Sequence, residues 1–354
     1  MPTLFGTSPD YRRLLTVLRR GVPDRVPFIE LYADPGVQLV ALEDHPHTDS
    51  LPQGGDTVLD AHIRAQYYLG YDYLAADVPY AFTGVPRHES VDPSGARRTF
   101  LDAGRAPIQS RADFDRYVWP APDQVDFAAL DYCAAHLPEG MRVLAVLGGG
   151  PLEWGMWMMG AERYCMTVHD DPALIRALTA RISAHQAAVC AAAAGHPAVF
   201  AVATGDDWGF RTQTFLAPVA MRALIFPALK RLVEIAHAYG KPFILHSCGN
   251  LTGVMDALLA EVGIDGKHSY EDAVMPVTAI TARCGDRMAV LGGIDIDVLT
   301  RADEPTLRAY VRAVLDACAP GGGYALGSGN SIANYIPARS LRVMLEEGAR
   351  FNTA

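Results

Sequence analysis

The chain has 354 residues, half of them hydrophobic and a fifth charged, with a formal net charge of -10 at pH 7. That length can bury a large core, and the composition is that of an ordinary soluble globular protein, one α/β domain or two smaller ones. The acidic balance, with no long Lys/Arg run to offset it, argues against a nucleic-acid-binding surface and against attraction to anionic membranes.

In chain order, Met1–Gly6 lacks a charged segment followed by an apolar one, so no secretion signal is expected. Apolar strand candidates then alternate with helical patterns. The strands fall at residues 26–31, at 71–76 ending in Asp77, at 142–147 running into Gly148-Gly149-Gly150, and at 198–203 ending in Gly205-Asp206-Asp207. Four more fall at 242–245, 263–266, 288–291 and 324–326. Spaced apolar residues predict helices over 56–69, 171–194, 218–239 (stopped by Gly240), 251–262 and 304–319. Residues 79–126 are polar and Pro-rich and read as an insertion of hairpins and loops over the mouth of the fold. The most apolar stretch, 187–203, is interrupted by Gly195, His196 and Pro197, too broken to span a bilayer. Eight strands alternating with helices predict a single (β/α)8 TIM barrel over residues 1–354, with an open doubly wound sheet as the alternative. No Gly-x-Gly-x-x-Gly follows an early strand, which weakens a dinucleotide fold.

Barrel chemistry comes from strand carboxyl ends. Polar residues follow nearly every predicted strand: Glu30, Asp77, Glu153, Asp206, Asp207, His246, Cys248, Glu271, Asp295, Ser328 and Asn330. In Phe243-Ile244-Leu245-His246-Ser247-Cys248-Gly249-Asn250 an apolar run ends in two soft ligands two residues apart, which share one side of a strand. With Glu271 they form a candidate Zn²⁺ site, and His268 is an alternative ligand on the same loop. The competing reading is a hydrogen-bonded histidine beside an inert buried cysteine. The other five cysteines are scattered and read as small apolar residues of a reducing, cytoplasmic setting. Asp206 and Asp207 are candidate substrate-binding or acid and base groups, because adjacent carboxylates split their pKa values. The bland reading of the Asp206-Asp207 pair is a helix cap. Trp154 and Trp157, after the triple glycine, offer flat surface for a macrocycle or substrate, set against burial at a helix start.

The segments His246–Asn250, Leu291-Gly292-Gly293-Ile294-Asp295 and Gly327-Ser328-Gly329-Asn330, with the strand order, resemble the uroporphyrinogen decarboxylase superfamily from about residue 9 to residue 351. The resemblance implies one (β/α)8 barrel. It is closer to the zinc-dependent cobamide methyltransferase branch than to the decarboxylases. The decarboxylase branch holds its substrate carboxylates with an Arg-rich segment after the first strand. Here that place reads Glu30-Leu31-Tyr32-Ala33-Asp34-Pro35, without an arginine. Asp77 matches the decarboxylase aspartate, while that branch's tyrosine falls on Trp157 and its late histidine on Ser328. In the methyltransferase branch zinc is held by His-x-Cys and a later Cys. His246 and Cys248 match the first two, and the later Cys falls on or beside Ser328. A Glu between the pairs occurs in the related cobalamin-independent methionine synthases, and Glu271 has a similar spacing. The resemblance therefore implies methyl transfer between a corrinoid or other donor and a thiol or similar acceptor. Together with the residue readings above, it assigns metal to His246, Cys248 and Glu271, catalysis to Asp77, Asp206 and Asp207, and substrate to Glu30, Trp154, Trp157, Ser328 and Asn330. No Asp-x-His-x-x-Gly motif is present, so a corrinoid would come on a separate protein or as a free ligand. The alternatives are a decarboxylase or lyase with another carboxylated substrate, and a non-catalytic corrinoid or tetrapyrrole binder.

Overall fold

The computed structural model describes residues 3–43, 54–78, 80–85, 87–91, 97–101, 106–121 and 125–353. Its centre is a seven-stranded parallel sheet. The strands are β1 (Leu74–Val78), β4 (Val143–Gly149), β5 (Val199–Gly205), β6 (Phe243–His246), β7 (Gly266–His268), β8 (Ala289–Leu291) and β9 (Tyr324–Ala325), hydrogen-bonded in that order. β2 (Arg87–Val91) and β3 (Arg97–Leu101), between β1 and β4 in the chain, form a separate antiparallel pair. Every residue of β5 and β6 is buried. Strands covered on both faces are what helical crossovers produce, and such strands read as continuous apolar runs rather than alternating ones.

The predicted helices form where their caps allow. Asp56 accepts hydrogen bonds from the Val58 and Leu59 N–H groups at the start of Thr57–Tyr68. Asp171 does the same for Leu174 ahead of Pro172–Gly195, whose first helical residue is a proline with no N–H to lose. Gly240, at φ 69°, ends the run that closes at Ala238.

Two strand expectations are corrected. The strand expected at 263–266 begins only at Gly266, because Gly263 sits at φ 77° and ends the preceding helical turn. The shift brings Lys267 and His268 into the sheet. Residues 26–31 do not form a full ladder strand. Phe28 bridges Leu326, with Ile29 N–H donating to Leu326 O at 2.8 Å and Leu326 N–H to Pro27 O at 2.9 Å. On the other side Glu30 is tied to the chain ahead of β1 by a side chain: its N–H donates to Tyr73 Oη, which donates in turn to the Glu30 carbonyl, both at 2.8 Å. The structure thus shows an α/β fold with a seven-stranded parallel sheet. The buried apolar residues form one cluster running from Leu14 to Leu345. No helix of the described residues is long and apolar enough to cross a membrane.

Candidate metal and substrate site

Parallel register aligns the carboxyl ends of β5, β6 and β7: Gly205 lies opposite His246, and His246 opposite His268. Residues just past those ends therefore converge. Asp207, His246 and Cys248 each offer a ligand atom within 4.8 Å of the others, the only such group of three or more among the described residues. His246 Nε2 lies 3.6 Å from Cys248 Sγ and 4.0 Å from Asp207 Oδ1. Asp207 Oδ1 also accepts the Cys248 backbone N–H at 2.8 Å, which fixes the loop after β6.

The surroundings suit a metal ligand set. Cys248 Sγ accepts hydrogen bonds from Ser269 Oγ at 3.3 Å and from Asn330 Nδ2 at 3.1 Å, contacts that favour a thiolate. His246 Nδ1 is 2.8 Å from His268 Nδ1, so one ring orients the other. Burial pushes the Cys248 thiol up to about 12, Asp207 adding to the effect, so a thiolate here requires a cation beside it. Burial also holds His246 well below its ordinary range, with His268 and Lys267 acting the same way, and a neutral imidazole is the form that binds metal. A carboxylate, an imidazole and a thiol in mutual reach fit Zn²⁺.

The third ligand atom of this group is a carboxylate oxygen of Asp207, whereas the sequence pointed to Glu271. Glu271 stands one step back: Asn330 Nδ2 donates both to Cys248 Sγ and, at 3.2 Å, to Glu271 Oε1. His246 is level with His268, so Cys248 stands two residues past the paired ends and Glu271 three. Asn330, taken from the sequence as a substrate group, acts as the bridge.

Ser328 and Glu30 engage each other. Ser328 is fully buried, its N–H reaches Glu30 Oε1 and its Oγ reaches Oε2, both at 2.6 Å. The serine hydroxyl is thus turned toward the first segment of the chain, away from the metal ligands. Burial drives the Glu30 carboxyl up to about 8 despite these two bonds.

Asp206 follows the capping alternative. It is fully buried and accepts the backbone N–H groups of Leu152 and Glu153 and the Trp208 indole N–H, the last at 2.8 Å. It caps the helix Pro151–Met159, so its lone pairs are spent on structure. Gly150 makes room, since a Cβ there would lie 2.3 Å from the Asp206 side chain. The neighbouring Gly149 is likewise approached by the Trp157 ring, 2.2 Å from where a Cβ would sit. The triple glycine serves internal packing. Trp154 is buried, donates to Tyr80 Oη at 2.9 Å and packs edge-on against Phe82, as burial at a helix start implies. Trp157 remains half-buried against it.

Three residues not singled out from the sequence stand at this site. Tyr32 packs edge-on against His246, ring centroids 5.1 Å apart. Its hydroxyl is held well above its usual range by burial and then by Glu153, Asp77 and Asp207. Alternation from Glu30 would have flagged it, since residues two apart share a side. Lys267 is fully enclosed, and its ammonium donates to the carbonyls of Ser247, His268 and Ser269 at 3.0, 3.2 and 2.7 Å above the Tyr270 ring. Burial lowers it to about 8. Ser269, at φ 80°, is thereby pinned with its hydroxyl on Cys248. Nothing in an isolated Gly-Lys-His tripeptide announces this. Asp77 lies within β1 opposite Val146, has no hydrogen-bond partner among the described residues, and is raised above the ordinary carboxylate range by desolvation.

Residues 104–351, well over half of the chain, match the uroporphyrinogen decarboxylase (URO-D) family, and the protein belongs to that family. Its fold is that of a methyltransferase from Methanosarcina mazei, with a TM-score of 0.74 over 99% of both chains at 15% identity. Weaker likenesses are a Listeria monocytogenes protein provisionally assigned as a vitamin-B12-independent methionine synthase and a β-glycosidase from Thermosphaera aggregans. The first has a TM-score of 0.40 at 13% identity, covering 64% of this chain and 71% of the other. The second has 0.43 at 11%, covering 90% and 88%. Neither bears on function. No curated protein sequence matches.

Proposed function

We propose that this chain is a metal-dependent methyltransferase that moves a methyl group between a corrinoid or similar donor and a thiol or similar acceptor. The observation that carries this reading is the convergence of Asp207, His246 and Cys248, with Cys248 Sγ receiving two hydrogen bonds. Bound Zn²⁺ would lower the pKa of an acceptor thiol and so supply a nucleophile near neutral pH. The chain's own residues would do the rest. Ser269 and Asn330 hold the Cys248 sulfur, His268 orients His246, and Tyr32 and Asp77 position the acceptor beside them. The donor, with no corrinoid motif in this chain, would arrive free or on a separate corrinoid protein. We read the sheet as a closed (β/α)8 barrel, residues 26–31 completing it, in a single domain that works in the cytoplasm.

Decarboxylation of a polycarboxylated tetrapyrrole is the less favoured reading. Substrate carboxylates buried among Glu30, Asp34 and Asp77 without a cation would be costly. Metal analysis of freshly purified protein should find about one zinc per chain, and Co²⁺ substitution should give a sulfur-to-cobalt charge-transfer band that Cys248→Ala abolishes. Protein free of metal that still transfers methyl groups, or that converts uroporphyrinogen anaerobically, would overturn the proposal.

A further inference from the structure

A cavity of about 550 Å³ opens beside β1 and the segment after Ile29, large enough for a small organic molecule. Its charged lining is acidic. Glu30, Asp34 and Asp77 supply three carboxyls, no Lys or Arg is among the lining residues, and the one histidine, His62, is lowered from its ordinary range by burial. Asp34 is engaged in capping the next helix through the Gly36 N–H, and Glu30 is engaged with Ser328. Asp77, the exposed residue of β1, has no hydrogen-bond partner among the described residues, and the neighbouring His62 spends its Nε2 on the Ala75 carbonyl at 2.9 Å.

Gln66 points independently to what belongs there. It lines the cavity, is 2% exposed, and its Oε1 has no hydrogen-bond partner. Its orientation is fixed by a chain of amides. Gln66 Nε2 donates to Gln38 Oε1, and Gln38 Nε2 donates to the Ala33 carbonyl at 3.1 Å. Flipping Gln66 would set two amide oxygens against each other, and flipping both would set an oxygen against the Ala33 carbonyl. The cavity is thus lined by a buried acceptor that lacks an N–H or O–H donor and by a carboxylate that lacks a cation.

We propose that this cavity binds the protonated amine of a small organic substrate. An ammonium group bearing N–H donors satisfies Asp77 and Gln66 together. A bare metal ion does not match the volume, and the only grouping of metal-ligand atoms among the described residues lies at Asp207. Tyr32 links the two places, since it lines the cavity and packs against His246. An amine-bearing substrate held here would extend its other end toward the metal ligands. That last step rests on the methyltransferase reading, whereas the amine preference does not.

Three thiols matched in size and differing in charge test this: cysteamine, 2-mercaptoethanol and 3-mercaptopropionate, titrated by calorimetry into the full chain and into Cys248→Ala. Cysteamine should bind at least ten times more tightly than 2-mercaptoethanol, with 3-mercaptopropionate weakest. Asp77→Asn should erase the advantage of the amine, and Gln66→Met should reduce it several-fold. Cys248→Ala should keep the preference while losing metal. Should Gln66→Met fail to fold, Asp77→Asn decides alone. Equal binding of all three, no binding, preference for the carboxylate, or an amine preference that survives Asp77→Asn would overturn the proposal. A metal-free wild type that retains the amine preference would sink the methyltransferase reading alone. Bound metal without the preference would sink the cavity assignment alone.

Discussion

Two groups of polar side chains stand at the carboxyl ends of this sheet, one past β5 to β7 and the other where the first and last segments of the chain meet. Both carry carboxylates and both are largely enclosed. In the second group every strong bond closes inward: Glu30 Oε1 and Oε2 are both taken by Ser328. In the first group His268 takes only Nδ1 of His246, which leaves Nε2 facing Cys248 Sγ and Asp207 Oδ1, two acceptors that keep lone pairs beyond the hydrogen bonds they receive. Burial and residue type do not separate a cluster open to a ligand from one closed on itself. Accounting for each lone pair does.

The largest effects should fall on the open cluster. Cys248→Ala should reduce bound metal to background and methyl transfer by about 100-fold or more, because the softest ligand is gone. Asp207→Asn and Glu271→Gln then sharpen the comparison. If Asp207 is the ligand, its variant should lose metal outright, while Glu271→Gln, acting through Asn330, should weaken affinity by about 10-fold. Metal titration with a competing chelator reads both, and the reverse order would restore Glu271 to the ligand set.

Adjacent residues illustrate how much of this was legible. Asp206-Asp207 reads as one motif, yet Asp206 turns inward to cap Pro151–Met159 and Asp207 faces Cys248. The two-residue alternation of a strand puts them on opposite sides, but which side meets the glycines of β4 depends on a contact more than fifty residues away in the chain. The strand-helix alternation, the His246 and Cys248 pair and the caps at Asp56 and Asp171 were readable because each is local. The cavity, the Asn330 bridge and the enclosure of Lys267 were not, because each joins segments brought together only by the sheet. Asp206→Ala should therefore cost stability before it affects chemistry. Three donors lose their acceptor, which should lower the unfolding free energy by about 2–4 kcal/mol in chemical denaturation. Metal content of the folded fraction should hold.

Glu30 gives the closed group a pH signature. Its carboxyl sits at about 8 in the fold against an ordinary 4.5, chiefly through burial. The folded state therefore holds this proton more tightly than the unfolded state does. That contribution is complete below the unfolded value, declines as pH rises from 4.5, and is gone above about 8. Neutral Glu30 also completes the hydrogen count, since it can donate to Ser328 Oγ, which can then donate to Asn330 O at 3.2 Å. Asp206, raised to about 7 by burial, titrates in the same direction, so the wild-type curve contains both. The difference between Glu30→Gln and wild type isolates one of them. Stability of the variant relative to wild type should climb between pH 5 and 8, measured by urea unfolding at fixed ionic strength. A flat difference would mean that Glu30 is ionised throughout and that the closed group is held by charge.

The smallest effect should come from Cys284, a thiol of the same chemistry in the wrong surroundings. It is fully buried at the end of Val277–Cys284, and its sulfur is approached by Arg287 Nη2 at 3.6 Å. No imidazole or carboxylate joins it in a ligand-sized group among the described residues. Cys284→Ala should leave metal content and methyl transfer unchanged and cost about 1 kcal/mol of stability from the small void left behind. The pairing with Cys248→Ala is what makes it informative. Both remove one sulfur from an enclosed position past the midpoint of the chain, and only one of those positions has two donors aimed at the sulfur and an imidazole beside it. Metal loss in both variants would mean that the fold responds to any lost thiol, and the special standing of the Asp207, His246 and Cys248 cluster would disappear.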